Sequence, residues 1–226
     1  LKYEEFCVPK FARLVVPGYP HHVTQRGVRK QRTFFDDSDY RAYLNLVEKR
    51  KSESGVRIWA YCLMPNHVHV VAVPSENQGL AKLFGVAHHR YSKRVNAKYG
   101  WKGHLWQERF FSVVMDESHA LAAIRYVELN PVRAGLCHAP ESWPWSSVHA
   151  HLELKTDVLV DKCSLTDSVG NWSRFLGGEE DRGLVESLRA STGTGRPAGD
   201  SSFIALLESK TGRRISRRKP GRPRKK

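Results

Sequence analysis

Short apolar runs along the chain alternate with longer segments in which apolar residues recur every three or four positions. Side chains repeat every two residues in a strand and about every 3.6 in a helix, so the two patterns predict strands and helices respectively. In chain order they predict a strand at 19–25, a helix at 40–51, strands at 56–63 and 67–73, a helix at 79–99, a strand at 106–115 and a helix at 117–130.

The order of these elements predicts the fold class. Only Pro65-Asn66 and the strand ends separate the second and third strands, so these two should form an antiparallel hairpin. Strand, helix, strand, strand, helix, strand is the split βαβ pattern. We therefore predict an α+β, ferredoxin-like (RRM-like) domain with an antiparallel sheet and with helices packed on one face. Pro131 should end the last helix, because proline cannot continue one.

Composition divides the chain into three predicted parts. Residues 1–152 hold the elements above and an aromatic closing segment, 153–209 form a small helical appendage with short helices at 184–190 and 203–209, and 210–226 form a basic tail. Hydrophobic residues make up 40% of the chain, which is enough for a core and excludes a wholly disordered protein. Because no run of ~18 apolar residues occurs, we expect no membrane partner.

The net charge of +14 is concentrated at one end of the chain. Residues 210–226 carry ten basic side chains and no acidic one. Their stretch 219–226 reads like an AT-hook, whose Gly-Arg-Pro core lies in a narrow minor groove of DNA. We predict DNA contacts from Arg217, Arg218, Arg222 and Arg224; the alternative is a solvated tail that aids solubility.

The four cysteines lie far apart and form no Cys-x-x-Cys pair. This spacing argues against a disulfide framework or a thiolate zinc site, and it favours a reducing cytoplasm, with nucleoid association in a prokaryote if DNA is the partner. The charged opening of residues 1–5 lacks the apolar region of a signal peptide, which agrees with that location.

His67-Val68-His69 is the strongest candidate for chemistry. Residues i and i+2 of a strand point to one face, so the two imidazoles can converge on one cation while Val68 faces the core. The alternative is a pair of surface or packed histidines. The adjacent pairs at 21–22 and 88–89 can each supply one imidazole at most, and we interpret them as ordinary solvent or backbone partners.

Tyr126 and Asn130 lie four residues apart on the last predicted helix and therefore share a face. A tyrosine hydroxyl there can reach whatever the histidine strand holds, although a phenol is a poor nucleophile without a cation or base. The alternative is an ordinary amphipathic tyrosine. Arg125 and Arg133 flank this helix, and each either pairs with phosphate or is simply solvated.

Five stretches of the sequence resemble the single-tyrosine HUH transposases, in which two histidines flank a hydrophobic residue, and most of all their REP-associated branch. The stretches are Gly-Tyr-Pro-His-His-Val-Thr-Gln-Arg-Gly at 18–27, Trp-Ala-Tyr-Cys-Leu-Met-Pro-Asn-His-Val-His at 59–69, Leu-Trp-Gln-Glu-Arg-Phe-Phe at 105–111, Tyr-Val-Glu-Leu-Asn-Pro-Val-Arg-Ala-Gly-Leu at 126–136 and Trp-Pro-Trp-Ser-Ser at 143–147. The resemblance covers roughly residues 12–152.

The resemblance implies roles for these residues. His67 and His69 would hold a divalent ion, Mg²⁺ or Mn²⁺, with Asn130 as the third ligand. Tyr126 would attack a phosphodiester of single-stranded DNA, which leaves a 5′-phosphotyrosine link and a free 3′-OH. The implied partner is a REP-like DNA hairpin with adjoining single strands, and the implied enzyme is a metal-dependent transposase that nicks and rejoins DNA.

Two other functions stay open on the same fold: a non-catalytic protein that binds hairpin repeats, and a metal-dependent phosphodiesterase that uses water in place of Tyr126. For the DNA phosphates we expect contacts from Arg90, Lys93 and Arg94 on the basic helix and from Arg109 beside two phenylalanines. We favour a monomer over a dimer, because a single chain contains every part.

Overall fold

The structure is a computed structural model that describes residues 12–216. Within this segment, four strands form one antiparallel sheet in the order β2-β3-β1-β4. The strands are β1 (His21–Arg26), β2 (Val56–Met64), β3 (His67–Pro74) and β4 (Phe111–Val114). The α+β class and the split βαβ order predicted from the sequence are therefore confirmed.

The helices of the same segment alternate with these strands and then continue alone towards the C-terminus. They are α1 (Asp37–Ser54), α2 (Val86–Tyr99), α3 (Glu117–Glu128), α4 (Asn130–Arg133), α5 (Val148–His151), α6 (Ser164–Asp167), α7 (Trp172–Gly177), α8 (Arg182–Thr194) and α9 (Ser201–Thr211). A wider helical turn, Ala81–Gly85, leads into α2.

Alternation along β3 sorts its side chains between two apolar layers. Val68, Val70 and Ala72 are buried in one core with the apolar sides of α1 and α2. Val71 and Val73 are buried in a second core on the other face, with α3. Because every second residue shares a face, His67 and His69 lie on the α3 side of the sheet.

The prediction that helices pack on one face holds for α1 and α2 but is wrong for α3. The buried stripe Ala120, Ala123, Ile124 and Val127 of α3 packs on the second face. Both faces of the central strands are apolar. The two-residue repeat of a strand shows which residues share a face, but it does not show which helix packs on that face. This second face is the one that carries the candidate site.

Two elements begin or end differently from the sequence prediction. The strand predicted at 106–115 shrinks to β4, because Gln107, Glu108 and Arg109 are all exposed and no strand with a buried face places three consecutive residues in solvent. Pro131 does not end the helical path: it lies in the first turn of α4, where its missing N–H costs no hydrogen bond.

Residues after 152 pack against the same sheet. Trp172, Leu176 and Leu188 are buried in the core on the α3 side, and the short helices predicted at 184–190 and 203–209 correspond to the longer α8 and α9. The division of the chain at residue 152 stays a prediction. Between residues 12 and 216, no helix is both long and apolar enough to cross a membrane.

Candidate active site

The structure brings the predicted histidines, tyrosine and asparagine together in one pocket, which we call the His–Tyr pocket. It has a volume of about 520 Å³, and its lining includes His67, His69, Tyr126 and Asn130. The histidines come from β3, the tyrosine from α3 and the asparagine from the start of α4. The ring centroids of His69 and Tyr126 are 6.0 Å apart, and those of His67 and His69 are 4.9 Å apart.

The chain positions these side chains by simple local rules. The period of β3 puts both imidazoles on one face. On α3, Ala123 and Val127 are buried against the sheet while Tyr126 is only partly buried, so its ring lies at the border of the packed stripe and faces the pocket. Asn130 is one turn beyond Tyr126, as the i,i+4 spacing predicts.

Hydrogen bonds among the described residues engage the Nδ1 atom of each predicted histidine ligand. His67 Nδ1 lies 2.5 Å from Asn66 Oδ1, which can only accept, so the proton is on Nδ1 and the lone pair on Nε2. For His69 the partner is another imidazole, since its Nδ1 lies 2.9 Å from His22 Nε2. Which of the two rings donates follows from the contacts that His22 makes with Thr192 and that Thr192 makes with Leu188.

Thr192 Oγ1 donates to the carbonyl of Leu188 at 2.8 Å, so its single hydroxyl proton is already used. It lies 3.5 Å from His22 Nδ1 and can only accept from it. A neutral His22 with its proton on Nδ1 must accept at Nε2, and the donor is then His69 Nδ1. With the proton of His22 on Nδ1, His69 Nε2 keeps its lone pair, which is the arrangement that outer partners impose on metal-binding histidines; the 3.5 Å contact with Thr192 is at the outer limit for a hydrogen bond.

Burial keeps these imidazoles neutral. It lowers the pKa of His67 to about 3, with the Arg26 guanidinium adding to the shift, and lowers the pKa of His22 to about 4. Burial also holds the pKa of His69 well below its usual range. At neutral pH each ring is therefore uncharged and keeps a lone pair, the form in which histidine binds metals.

Two imidazole nitrogens and one amide oxygen are chemically suited to bind a divalent ion. In the described 12–216 segment, no group of three or more His, Cys, Asp or Glu side chains could hold a metal, so the candidate donors are the Nε2 atoms of His67 and His69 and the amide of Asn130. The Nδ2 atom of Asn130 is buried and finds no hydrogen-bond partner within that segment. Since an N–H₂ group can only donate, the partner that would satisfy it is an acceptor such as a phosphate oxygen, whereas an ion would be held by Oδ1 of the same amide.

The pocket attracts anions. Arg26, Arg133 and Arg189 line it, and no carboxylate from the described part of the chain does so. The Arg133 guanidinium carbon lies 4.5 Å from the centroid of the Tyr126 ring, and its Nη1 donates to the Tyr126 carbonyl at 2.7 Å. Such a lining suits a phosphate group at the tyrosine hydroxyl.

Arg125 is buried elsewhere and does not reach the pocket. Its guanidinium donates to the carbonyls of Leu176, Gly178 and Glu179. Of the two arginines beside the tyrosine helix, Arg125 is thus structural, and only Arg133 lies at the candidate site.

The predicted DNA-binding residues that the structure describes lie apart from the His–Tyr pocket. Arg90, Lys93 and Arg94 are exposed on α2, which covers the opposite face of the sheet. Lys93 and the exposed Arg109 both line a separate cleft of about 740 Å³ beside α2. Arg217, Arg218, Arg222 and Arg224 lie outside the described residues.

Sequence reasoning missed Arg26, Arg189 and Thr192 of the pocket, and it misinterpreted His22. Its imidazole is 2% exposed and lies edge to edge with His69, with ring centroids 5.1 Å apart and nearly parallel planes, so interpreting it as an ordinary solvent or backbone partner was wrong. The one available signal was the period of β1, which puts His22 and Thr24 on the same face. Thr24 pairs with His69, but that register cannot be read from either strand alone.

Comparison with known proteins gives the family of the chain and a solved structure of similar fold. A sequence model of the family described as "Transposase IS200 like" matches residues 18–130, half of the chain, and the chain belongs to this family. A REP-associated tyrosine transposase of Haemophilus influenzae is 24% identical over 102 residues, which cover 40% of this chain and 57% of that relative. The chain therefore spans just over half the length of the curated relative.

A solved structure of a REP-associated tyrosine transposase bound to a REP hairpin is similar in fold. Its TM-score is 0.53 at 18% identity, and the match covers 69% of this chain and 99% of that one. At this identity the likeness supports the α+β fold of the open four-stranded sheet.

Proposed function

We propose that this protein is a metal-dependent endonuclease and strand transferase that acts on single-stranded DNA next to a REP-like hairpin, through a 5′-phosphotyrosine intermediate at Tyr126. The observation that carries the proposal is that Tyr126 opens into the same pocket as His67, His69 and Asn130, residues far apart in sequence. The family described above and the hairpin bound by a relative of similar fold support the substrate class.

The chemistry follows from the residues that line the pocket. The hydroxyl oxygen of Tyr126 attacks the phosphorus of a phosphodiester, the new O–P bond replaces the bond to the 3′ oxygen, and that oxygen leaves with a proton as a 3′-OH. Because the phosphotyrosine bond conserves the energy of the broken one, a later 3′-OH can attack it and rejoin the strand without a nucleotide cofactor. Arg26 and Arg133 attract and orient the phosphate.

A divalent ion, Mg²⁺ or Mn²⁺, would be held by His67, His69 and Asn130, and when bound it supplies a Lewis acid that polarises the phosphate oxygens. The hydrogen bonds that the two imidazoles donate to Asn66 and His22 orient them so that the ion meets an unprotonated nitrogen on each. Hairpin phosphates would lie along the exposed basic residues of α2, Arg90, Lys93 and Arg94, and along Arg109 and the basic tail.

A covalent adduct tests the proposal. Purified protein with Mn²⁺ should cleave a hairpin oligonucleotide with single-stranded flanks and become labelled when the label is at the 3′ end of the DNA, but not when it is at the 5′ end. Tyr126→Phe should form no adduct. Tyr19→Phe, a partly buried tyrosine outside the pocket, serves as the matched control and should react normally.

The outcomes separate the three candidate functions. Hairpin binding without cleavage by the wild type would identify a binding protein, and cleavage by Tyr126→Phe at the wild-type rate would identify a phosphodiesterase that uses water. Metal binding is measured separately by the electron paramagnetic resonance of free Mn²⁺. His67→Ala should weaken Mn²⁺ binding at least about tenfold, whereas the exposed His138→Ala should not.

A further inference from the structure

Helix α8 forms one wall of the His–Tyr pocket, although it lies beyond the 18–130 segment that the family model matches. Asp181 begins it by accepting a hydrogen bond from the Leu184 amide at 3.1 Å. Val185 and Leu188 are buried and fix one side of the helix on the protein. The next residue, Arg189, is exposed and lines the pocket.

Specific polar contacts hold this wall in place. Ser187 Oγ lies 3.1 Å from His119 Nε2, and the other ring nitrogen of His119 lies 2.7 Å from Asp116 Oδ1, so α8 is tied to the first turn of α3. Arg125 from α3 bonds to the backbone that leads into α8. The position of α8 relative to the tyrosine helix is therefore determined by packing and by hydrogen bonds at its middle and at the segment before it.

Arg189 and Arg133 both contact the Tyr126 ring, but they differ in whether a carboxylate pairs with the guanidinium. The Arg189 guanidinium carbon lies 5.4 Å from the centroid of the Tyr126 ring. Arg133 forms an ion pair with Glu180, whereas Arg189 has no carboxylate partner within residues 12–216. An uncompensated guanidinium that faces a pocket without carboxylates is available to an anionic ligand.

We infer that Arg189 is a catalytic residue that binds the scissile phosphate and stabilises the negative charge that develops on it during attack by Tyr126; the inference rests on the function proposed above. A guanidinium offers paired donors that match two phosphate oxygens. Its place beside the nucleophile, on an element fixed by the core, meets the requirement for a preorganised charge at the reacting group. Helix α8 also carries Thr192, the last member of the hydrogen-bond chain from His69.

The test compares Arg189→Gln and Arg189→Lys with Arg174→Gln, an exposed arginine on α7 outside the pocket. With saturating Mn²⁺ and hairpin, the single-turnover rate of adduct formation should fall about 10²–10³-fold in Arg189→Gln and recover in part in Arg189→Lys. Affinity for the hairpin and for Mn²⁺ should change no more than a few-fold. Arg174→Gln should match the wild type in all three measurements.

Two results of these measurements would overturn the inference. One is a single-turnover rate in Arg189→Gln within a few-fold of the wild type. The other is a loss of hairpin affinity as large as the loss of rate, which would make Arg189 a general DNA contact and not a catalytic one.

A second measurement separates this inference from the proposed function. Inorganic phosphate titrated into ¹⁵N-labelled protein should shift the Nε–Hε resonance of Arg189, assigned by its absence in Arg189→Gln. A wild type that forms no adduct overturns both the proposed function and the catalytic role. If the adduct forms but phosphate leaves that resonance unmoved, only the role of Arg189 fails.

Discussion

His21 should make the protein lose stability in mild acid. Its imidazole is fully buried, its Nδ1 donates to the Tyr19 carbonyl at 2.8 Å and its Nε2 accepts from the Val16 amide at 3.2 Å. Protonation would place an N–H of the ring against the N–H of Val16, and burial further disfavours the charge. Burial lowers the pKa of His21 to about 4, a shift that the bond to Tyr19 opposes in part.

The sign and size of the effect follow from linkage. The unfolded chain binds the proton below a pKa of about 6.5, while the folded protein does not do so until about 4, so the contribution is complete above pH 6.5 and is lost as the pH falls towards 4. A shift of this size corresponds to about 3 kcal/mol in total. About 2 kcal/mol of it should be lost between pH 7 and pH 5.

Urea unfolding at pH 7 and pH 5 measures this loss. Other buried histidines contribute equally to wild type and variant, so the comparison is the difference in pH dependence between wild type and His21→Gln, which keeps a donor and an acceptor but does not titrate. Between pH 7 and pH 5, the free energy of unfolding of the variant should fall by about 2 kcal/mol less than that of the wild type. The exposed His138→Gln is the matched control.

Equal pH dependence in wild type and His21→Gln would refute the reasoning. If His21→Gln does not fold, the proton titration of the His21 ring by NMR in the wild type gives the same answer, and an apparent pKa near 6.5 would contradict it.

Three further changes should lower stability, each readable from the urea midpoint. Glu128→Gln should cost about 1–3 kcal/mol, because the buried carboxylate accepts from Ser147 Oγ at 2.6 Å and from Trp172 Nε1 at 2.8 Å; an unchanged midpoint would show these bonds to be dispensable. Asp36→Ala removes the N-cap of α1 and should cost about 1 kcal/mol, whereas Asp36→Asn should cost little. Leu83→Ala should cost about 2–5 kcal/mol at a fully buried position, and Leu83→Met less than about 1.5 kcal/mol; equal losses would argue against tight packing there.

Local periodicity of the sequence was sufficient to determine the order of the elements and one half of the site. The alternating run at 67–73 places His67 and His69 on one face in any strand, and the helical spacing places Tyr126 and Asn130 on one face in any helix. These relations are properties of a short segment of chain. They need no knowledge of what packs against it, which explains why the fold class and the two pairs were predictable; that both pairs meet at one site was implied only by the family resemblance, and the packing of α3 on the sheet brings them together.

Only the tertiary structure decided the rest. His22 meets His69 because β1 and β3 pair in one register among several, and Arg189 reaches the tyrosine ring because α8 packs on α3. The same packing shows that α3 covers the face opposite α1 and that Arg125 is structural. Register and long-range packing depend on the balance of many distant contacts, so no window of the sequence contains them.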